Sequence, residues 1–144
     1  MNMGERVAVN GDDELRLVVQ ALARRIRTNR GDEAISDSQL GVLFQLEKHG
    51  GRAPGQLAEF ERVSPPSMNR TLNGLEEKGL VARAPSPDDA RKVVVTLTDA
   101  GTALILETRR LRTAWFSQRL AELAPAERAA LADVTPLLRK LADS

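Results

Sequence analysis

A single helix with clear start and stop signals constrains the fold of this chain more than any other feature. Ser64 is a natural N-cap, and Pro65 takes the first helical position, where no backbone N–H is needed. Lys78 closes the last turn, and Gly79 supplies the left-handed residue that commonly ends a helix. Apolar residues recur at helical spacing between these limits, namely Met68, Leu72 and Leu75. The sequence therefore predicts a short amphipathic helix with one buried face.

The residues on both sides of this helix predict a helix-turn-helix followed by a hairpin. Upstream, a capping box at 36–39 opens one helix, and Pro54 opens a second, short helix in which Phe60 is expected to face inward. Downstream, a short strand over 80–83 and a β-branched run over 91–97 flank a turn rich in proline and aspartate. Two helices joined by a tight turn and followed by a hairpin have the order of a winged helix-turn-helix, whose second helix enters the major groove of DNA.

The two ends of the chain predict helices whose apolar stripes need a partner. A first helix covers about 12–30, a long helix begins at Thr98, and Pro125 opens the last helix. Pro136 lies inside this last helix, so we expect a kink or a break just before it. Burial of the stripes predicts a two-fold homodimer. The alternative is that the stripes only complete the core of a monomer. The expected interface residues are Leu15, Val19, Leu22, Leu131, Leu138 and Leu141.

The predicted fold class is therefore mainly α with a small β-hairpin, in one domain over residues 1–144. Within it, about 36–98 form the winged helix-turn-helix, while about 12–30 and 99–142 form a dimerisation region of N- and C-terminal helices. Residues 1–11 are polar and irregular and are expected to be a mobile tail. Since neither a signal peptide nor the roughly 18-residue apolar run of a membrane span is present, we expect a cytoplasmic protein.

The chain has few side chains that are suited to catalysis or metal binding. Cysteine is absent and His49 is the only histidine, which excludes disulfides, thiolate zinc sites and cysteine redox switches. No glycine-rich phosphate loop and no nucleophile–base set is visible, so we expect no enzyme, no cofactor and no metal. The net charge is +1, from 21 basic and 20 acidic residues, so any affinity for DNA must come from how the charges are distributed.

The exposed face of the helix that Ser64 opens carries groups that suit double-stranded DNA. Opposite the apolar stripe are short polar side chains and one arginine, without a carboxylate in the first two turns. Arginine can read guanine and asparagine can read adenine, while serine hydroxyls and free amide donors at the helix N-terminus bind phosphate. The candidate contacts are Ser64, Pro66, Ser67, Asn69, Arg70 and Asn73.

The tip of the hairpin adds basic residues, but beside acids that would repel phosphate. We interpret Asp89 as the partner that orients Arg91 across the turn, which aims Arg91 at the minor groove and Lys92 at phosphate. The alternative is an ordinary solvated turn with a surface ion pair. For the whole chain, the alternative function is a helical protein-interaction module that binds no DNA.

Several short motifs together resemble the MarR family of transcriptional regulators. The matching pieces are Leu57-Ala58, Ser64–Leu75, Leu75–Arg83, Asp89-Ala90-Arg91 and Val95–Gly101. The resemblance implies a homodimer with intertwined terminal helices, whose recognition helices enter successive major grooves of an imperfect palindrome. It also implies that Arg91 is the wing arginine in a flanking minor groove, that Asp89 is its partner, and that Arg83 is a further DNA contact. The lack of cysteine departs from those family members that sense peroxide.

The resemblance further implies a repressor that releases DNA when a small, often phenolic ligand binds. We expect a pocket lined by aliphatic residues around Phe44 and Trp115, with arginines of the first or fifth helix as partners for an aromatic acid. The alternative is that both aromatic side chains are plain core residues.

Overall fold

The computed structural model describes residues 11–30 and 34–144, so almost all of the tail expected over 1–11 lies outside the described residues. These residues form helices and one two-stranded antiparallel sheet. In chain order the elements are α1 (Gly11–Thr28), α2 (Asp37–His49), α3 (Pro54–Glu61), α4 (Pro65–Glu77), β1 (Val81–Pro85), β2 (Val93–Leu97), α5 (Asp99–Ala121) and α6 (Pro125–Ala142). The predicted fold class, mainly α with one hairpin, is confirmed.

The chain packs as two compact units, which we call the hairpin unit and the terminal unit. The hairpin unit covers Arg30–Arg110, and the terminal unit combines the chain up to Asn29 with Leu111–Ser144. The hairpin unit is wider than the winged helix-turn-helix predicted over about 36–98. It takes in the first half of α5, because Ile105 packs into the same apolar core.

An apolar core holds the hairpin unit together. Its fully enclosed side chains come from Ile35 before α2 and from α2, α3, α4, β2 and α5, and include Leu43, Leu57, Leu72, Leu75, Val95 and Ile105. Burial of one such side chain contributes about 1.5–3 kcal/mol. The expectation that Phe60 faces inward is wrong, since Phe60 is 48% exposed and stacks on His49 with ring centroids 5.3 Å apart. Phe60 lies in the last turn of α3, beyond Ala58, which is the last buried residue of that helix.

One backbone bridge ties the hairpin to the loop before α3. In the hairpin, Val81 is paired with Leu97 and Arg83 with Val95. On the other edge of β2, the Arg52 N–H donates to the Val95 carbonyl over 3.0 Å and the Val95 N–H donates to the Arg52 carbonyl over 2.8 Å. The bridge therefore fixes the base of the hairpin against the helix-turn-helix.

The end of α4, the start of β1 and the start of α5 meet at one junction. Gly79 adopts the left-handed conformation that the sequence predicts, with a φ of 73°. Thr98 donates its hydroxyl to the Gly79 carbonyl over 2.6 Å and its N–H to the Leu80 carbonyl over 3.1 Å. Gly101 lies so close that a Cβ there would be 2.2 Å from the Leu80 oxygen. Backbone contacts thus set the direction in which the hairpin leaves α4.

The first and last helices, α1 and α6, have no fully buried residue. The last helix, α6, continues through Pro136. Of the two outcomes expected at this proline, a kink or a break, the break is therefore wrong. Pro136 has no N–H to donate to the Ala132 carbonyl, but the helix is continuous on both sides of it. Thr135 also donates its hydroxyl to the Leu131 carbonyl over 2.8 Å, which adds a bond in the turn before the proline.

Candidate nucleic-acid interface

The N-terminus of α4 begins as predicted, and most of its first backbone donors are missing or already bonded. Ser64 is the N-cap, and its hydroxyl accepts a hydrogen bond from the Ser67 N–H over 3.3 Å. The Met68 N–H donates to the Ser64 carbonyl over 2.9 Å. Pro65 and Pro66 have no N–H to offer. The free amide donors expected at this end are therefore reduced to the N–H of Ser64, and side chains must supply the other contacts.

The side of α4 opposite the core is exposed and has no acid in its first two turns. The predicted contacts on this side are exposed, namely Pro66, Asn69, Arg70 and Asn73. The opposite stripe is buried, as the helical spacing predicts. Arg70 is the one cation within α4, and the first acid, Glu76, lies near the other end of the helix. This face can therefore approach DNA without charge repulsion at its leading end.

Asp89 organises the tip of the hairpin. Its Oδ1 accepts hydrogen bonds from the Arg91 N–H over 3.0 Å and from Arg91 Nε over 3.2 Å. The Asp89 carbonyl accepts from the Lys92 N–H over 2.9 Å, and the Ser86 N–H donates to the Lys92 carbonyl over 2.7 Å. The Arg91 side chain is 92% exposed, against 32% for Asp89. One carboxylate thus holds both the backbone and the guanidinium of Arg91 and leaves the other guanidinium donors in solvent.

The Arg83 side chain is directed to α4 and is largely enclosed. It is 27% exposed, and its Nε lies 3.3 Å from Oε2 of Glu76 in the last turn of that helix. The structure therefore brings Asp89, Arg91 and Lys92 together at the tip and ties Arg83 to the end of α4.

Two basic residues beside these contacts are missing from the candidates drawn from the sequence. Arg62, in the turn between α3 and α4, is exposed and adopts a left-handed backbone with φ 54° and ψ 47°. Its position two residues before Ser64 is a signal that could have found it. Arg52 and Lys92 line one cleft of about 520 Å³ at the start of α3 and the start of β2. The backbone bridge to Val95 places Arg52 at this cleft, and no short sequence pattern predicts such a long-range bridge.

The two aromatic residues expected near a ligand lie in different units, and each has arginine neighbours. In the hairpin unit, Phe44 is partly buried, and the guanidinium carbon of Arg109 lies 6.0 Å from its ring centroid. In the terminal unit, the guanidinium carbons of Arg25 and Arg119 lie 5.2 Å and 5.0 Å from the Trp115 centroid. Arg109 is also paired with Glu47 and Arg119 with Glu122, whereas Arg25 has no ion pair among the described residues.

The residues expected at a dimer interface are all exposed in the single chain. Four of them line one apolar groove of about 550 Å³ between α1 and α6, namely Leu15, Val19, Leu138 and Leu141. The other two, Leu22 and Leu131, are exposed on the same two helices. Contiguous apolar surface of this kind is common at interaction sites.

Within residues 11–30 and 34–144, no group of acidic or histidine side chains is arranged to hold a metal ion. Over the same residues, no helix combines the length and apolar character that crossing a bilayer requires.

Comparison with protein families and curated proteins shows what this chain is similar to. Residues 35–93 match the model of the MarR family. An HTH-type transcriptional regulator of Mycobacterium bovis is 40% identical over 130 residues, which cover 90% of this chain and 91% of that protein. The HTH-type transcriptional repressor MdtR of Bacillus subtilis is 29% identical over 135 residues, covering 91% of this chain and 87% of MdtR.

Solved structures are similar over almost the whole chain. A transcriptional regulator from Pseudomonas aeruginosa has a TM-score of 0.80 and 32% identity, covering 91% of this chain and 93% of that chain. BpsR of Bordetella bronchiseptica, whose DNA binding is regulated by 6-hydroxynicotinic acid, has a TM-score of 0.61 and 26% identity. That match covers 100% of this chain and 98% of BpsR.

Proposed function

Because the chain belongs to the MarR family of DNA-binding transcriptional regulators, we propose that it represses transcription as a homodimer on a pseudo-palindromic operator. The family consists of regulators and not of enzymes. The observation that carries the proposal is the exposed, acid-free face of α4 together with a wing arginine that Asp89 holds in place. The similarity to the repressor MdtR supports repression over activation. A repressor of this kind works on chromosomal DNA, in the cytoplasm.

Two exposed arginines of the hairpin unit, Arg70 and Arg91, have different tasks in this proposal. Arg70 reads guanine in the major groove, and Asn69 and Asn73 read neighbouring bases. Arg91 enters the minor groove, where A·T tracts concentrate negative potential, and Lys92 binds phosphate. The Ser64 hydroxyl donates to a phosphate, since it only accepts within the protein.

A second copy of this chain covers the exposed leucines of α1 and α6. The apolar groove between these helices supports this assignment, because water would otherwise surround it. A dimer with two-fold symmetry presents two copies of α4, which explains why the operator should be pseudo-palindromic.

A small aromatic acid is the ligand class that we propose for release from DNA. The similarity to BpsR, which responds to 6-hydroxynicotinic acid, supports this class. Phe44 and Trp115 are the candidate aromatic contacts, and arginines adjoin both rings. A carboxylate would pair with such an arginine, and the aromatic ring of the ligand would pack beside the side-chain ring.

The test uses the purified full chain and the DNA that precedes its own gene, with random DNA of equal length for comparison. We expect Arg70→Ala to cost about 1–3 kcal/mol on the cognate site and much less on random DNA. Arg91→Ala should weaken binding to both and lower the salt slope by about one phosphate contact per subunit. Adding 6-hydroxynicotinic acid or salicylate should weaken binding and change Trp115 fluorescence.

Arg110→Ala is the matched control, because Arg110 is exposed and bonded to Glu107 over 2.6 Å, much as Arg91 is to Asp89, but lies on α5 and not on α4 or the hairpin. This bond also holds the pKa of the Glu107 carboxyl below its ordinary value. The control should leave DNA binding unchanged. No binding by the wild-type chain to any duplex would instead favour a DNA-free interaction module. Equal small losses from Arg70→Ala and Arg91→Ala would refute the division of tasks between helix and wing.

A further inference from the structure

The first strand of the hairpin carries a charged residue on the side that faces the core. Arg83 is paired with Val95, which is fully buried, and Val81 on the same side of β1 is buried too. Ala82 and Ala84 alternate with them and are exposed. An aliphatic residue would suit the position of Arg83 for packing alone, so its charge needs another explanation.

The guanidinium of Arg83 is enclosed by protein atoms on two of its three nitrogens. Nε and Nη2 are shielded from solvent and form no hydrogen bond. Nε lies within ion-pair distance of Glu76 Oε2, at 3.3 Å, but the pair lacks hydrogen-bond geometry. A buried charge is costly unless an opposite charge is close, so Glu76 is the group that makes Arg83 tolerable at this place.

The Arg83–Glu76 pair connects the two parts of the interface. Glu76 lies in the last turn of α4, the helix that carries Arg70, and Arg83 lies in the strand that leads to the tip with Arg91. Between them the chain turns at Gly79. The pair therefore spans this turn and links the direction of the hairpin to that of α4.

We propose that Arg83 is a positioning residue, which acts through Glu76 to hold the wing at a fixed angle to α4. This inference rests on the DNA site proposed above, and it replaces the direct DNA contact that the family resemblance implies for Arg83. Arg70 and Arg91 belong to two contact surfaces on one chain. They reinforce each other only where the geometry lets both engage at the same time. Tight binding to a cognate site requires that both arginines make their contacts at the same time. Binding to random DNA depends mainly on charge and little on the orientation of the two surfaces.

Arg83→Met tests the proposal, since methionine keeps the unbranched apolar stem and suits the buried position. We expect the affinity for cognate DNA to fall about tenfold, in the range common for coupled contacts, with random-DNA affinity and salt slope unchanged. A phosphate contact would show the other pattern, with losses on both duplexes and a salt slope lower by about one per subunit. That pattern, or unchanged binding to both duplexes, would overturn the proposal.

Glu76→Gln and Glu77→Gln form a matched pair of variants on the same helix turn. Both remove one negative charge, but Glu77 has no ion pair among the described residues. An acid that only repels phosphate would tighten binding when it is removed. We expect Glu77→Gln to leave binding unchanged or slightly tighter, and Glu76→Gln to weaken cognate binding as Arg83→Met does. Equal behaviour of the two glutamine variants would contradict the proposal.

The double variant Glu76→Gln/Arg83→Met separates positioning from general damage. If Glu76 and Arg83 act only through their pair, the double variant should bind cognate DNA as tightly as Arg83→Met does, because that single substitution already removes the pair. Additive losses would overturn the proposal. Urea unfolding of each variant checks folding, and Arg83→Met should be no less stable, since it removes the enclosed charge and leaves a Glu76 side chain that is half exposed to water. Arg70→Ala and Arg91→Ala are measured in the same assay. If both show the losses expected above, a failed prediction for Arg83 concerns its positioning role and not the proposed DNA site.

Discussion

At the scale of single residues, the tip of the hairpin shows how an acid can serve a surface that binds DNA. The Asp89 carboxylate accepts hydrogen bonds from the backbone N–H and the guanidinium of Arg91. Its negative charge is therefore partly neutralised by the arginine and repels phosphate less than a separate charge would. An exposed ion pair of this kind contributes little stability, about 0–1 kcal/mol. Its value lies in the direction that it gives to the arginine.

Asp89→Ala should therefore weaken DNA binding, although it removes a negative charge. We expect a loss smaller than that from Arg91→Ala, about 0.5–1 kcal/mol, because the arginine remains but is free to rotate. Titrations against cognate and random duplexes at two salt concentrations would measure it. Tighter binding after the substitution would mean that Asp89 is a bystander that repels phosphate.

At the scale of secondary-structure elements, α6 shows that a helix can contain a proline without a break. The missing hydrogen bond at the Ala132 carbonyl and the ring of Pro136 are local costs within a helix that continues to Ala142.

Pro136→Ala restores the N–H and removes the ring, so we expect the protein to unfold at higher urea, with a gain of about 1–3 kcal/mol. Equilibrium unfolding at a fixed protein concentration would measure it, since association also contributes to stability. Asp133→Ala, at an exposed position of the same helix, should change stability by only a few tenths of a kcal/mol. A loss of stability in Pro136→Ala would show that the proline is required by packing that the single chain does not contain.

The elements that sequence patterns predict well are those that local chemistry determines. The Ser64 cap, the Gly79 stop and the Asp89–Arg91 pair all join residues that are close in sequence, so their geometry follows from residue type and spacing. The Arg52–Val95 bridge and the enclosure of Arg83 depend on how distant segments pack, and no short pattern encodes them. The N-terminus of α4 is instructive, because the two prolines that mark the helix start also remove two of the backbone donors expected there.

At the scale of the whole molecule, exposed leucines on α1 and α6 leave the terminal unit with an apolar surface that a second copy would cover. We expect the wild-type chain to sediment as a dimer at micromolar concentration. Leu138→Asp should shift it to the monomer, because a carboxylate in an apolar interface loses its hydration without a partner. Leu138→Met keeps the apolar contact and should remain dimeric. Operator affinity should fall with the loss of the dimer, and a monomeric wild-type chain would contradict the prediction.

The contact between Gly101 and the Leu80 carbonyl has a consequence for how this chain can diverge over evolutionary time. Every other amino acid would bring a Cβ to 2.2 Å from that oxygen, and the oxygen belongs to backbone that cannot swing aside. Thr102 and Ala103, the next residues of α5, are exposed and free to drift. We therefore expect Gly101 to stay invariant within a helix whose neighbouring exposed residues vary. The constraint arises where the end of α4, the start of β1 and the start of α5 pack against one another.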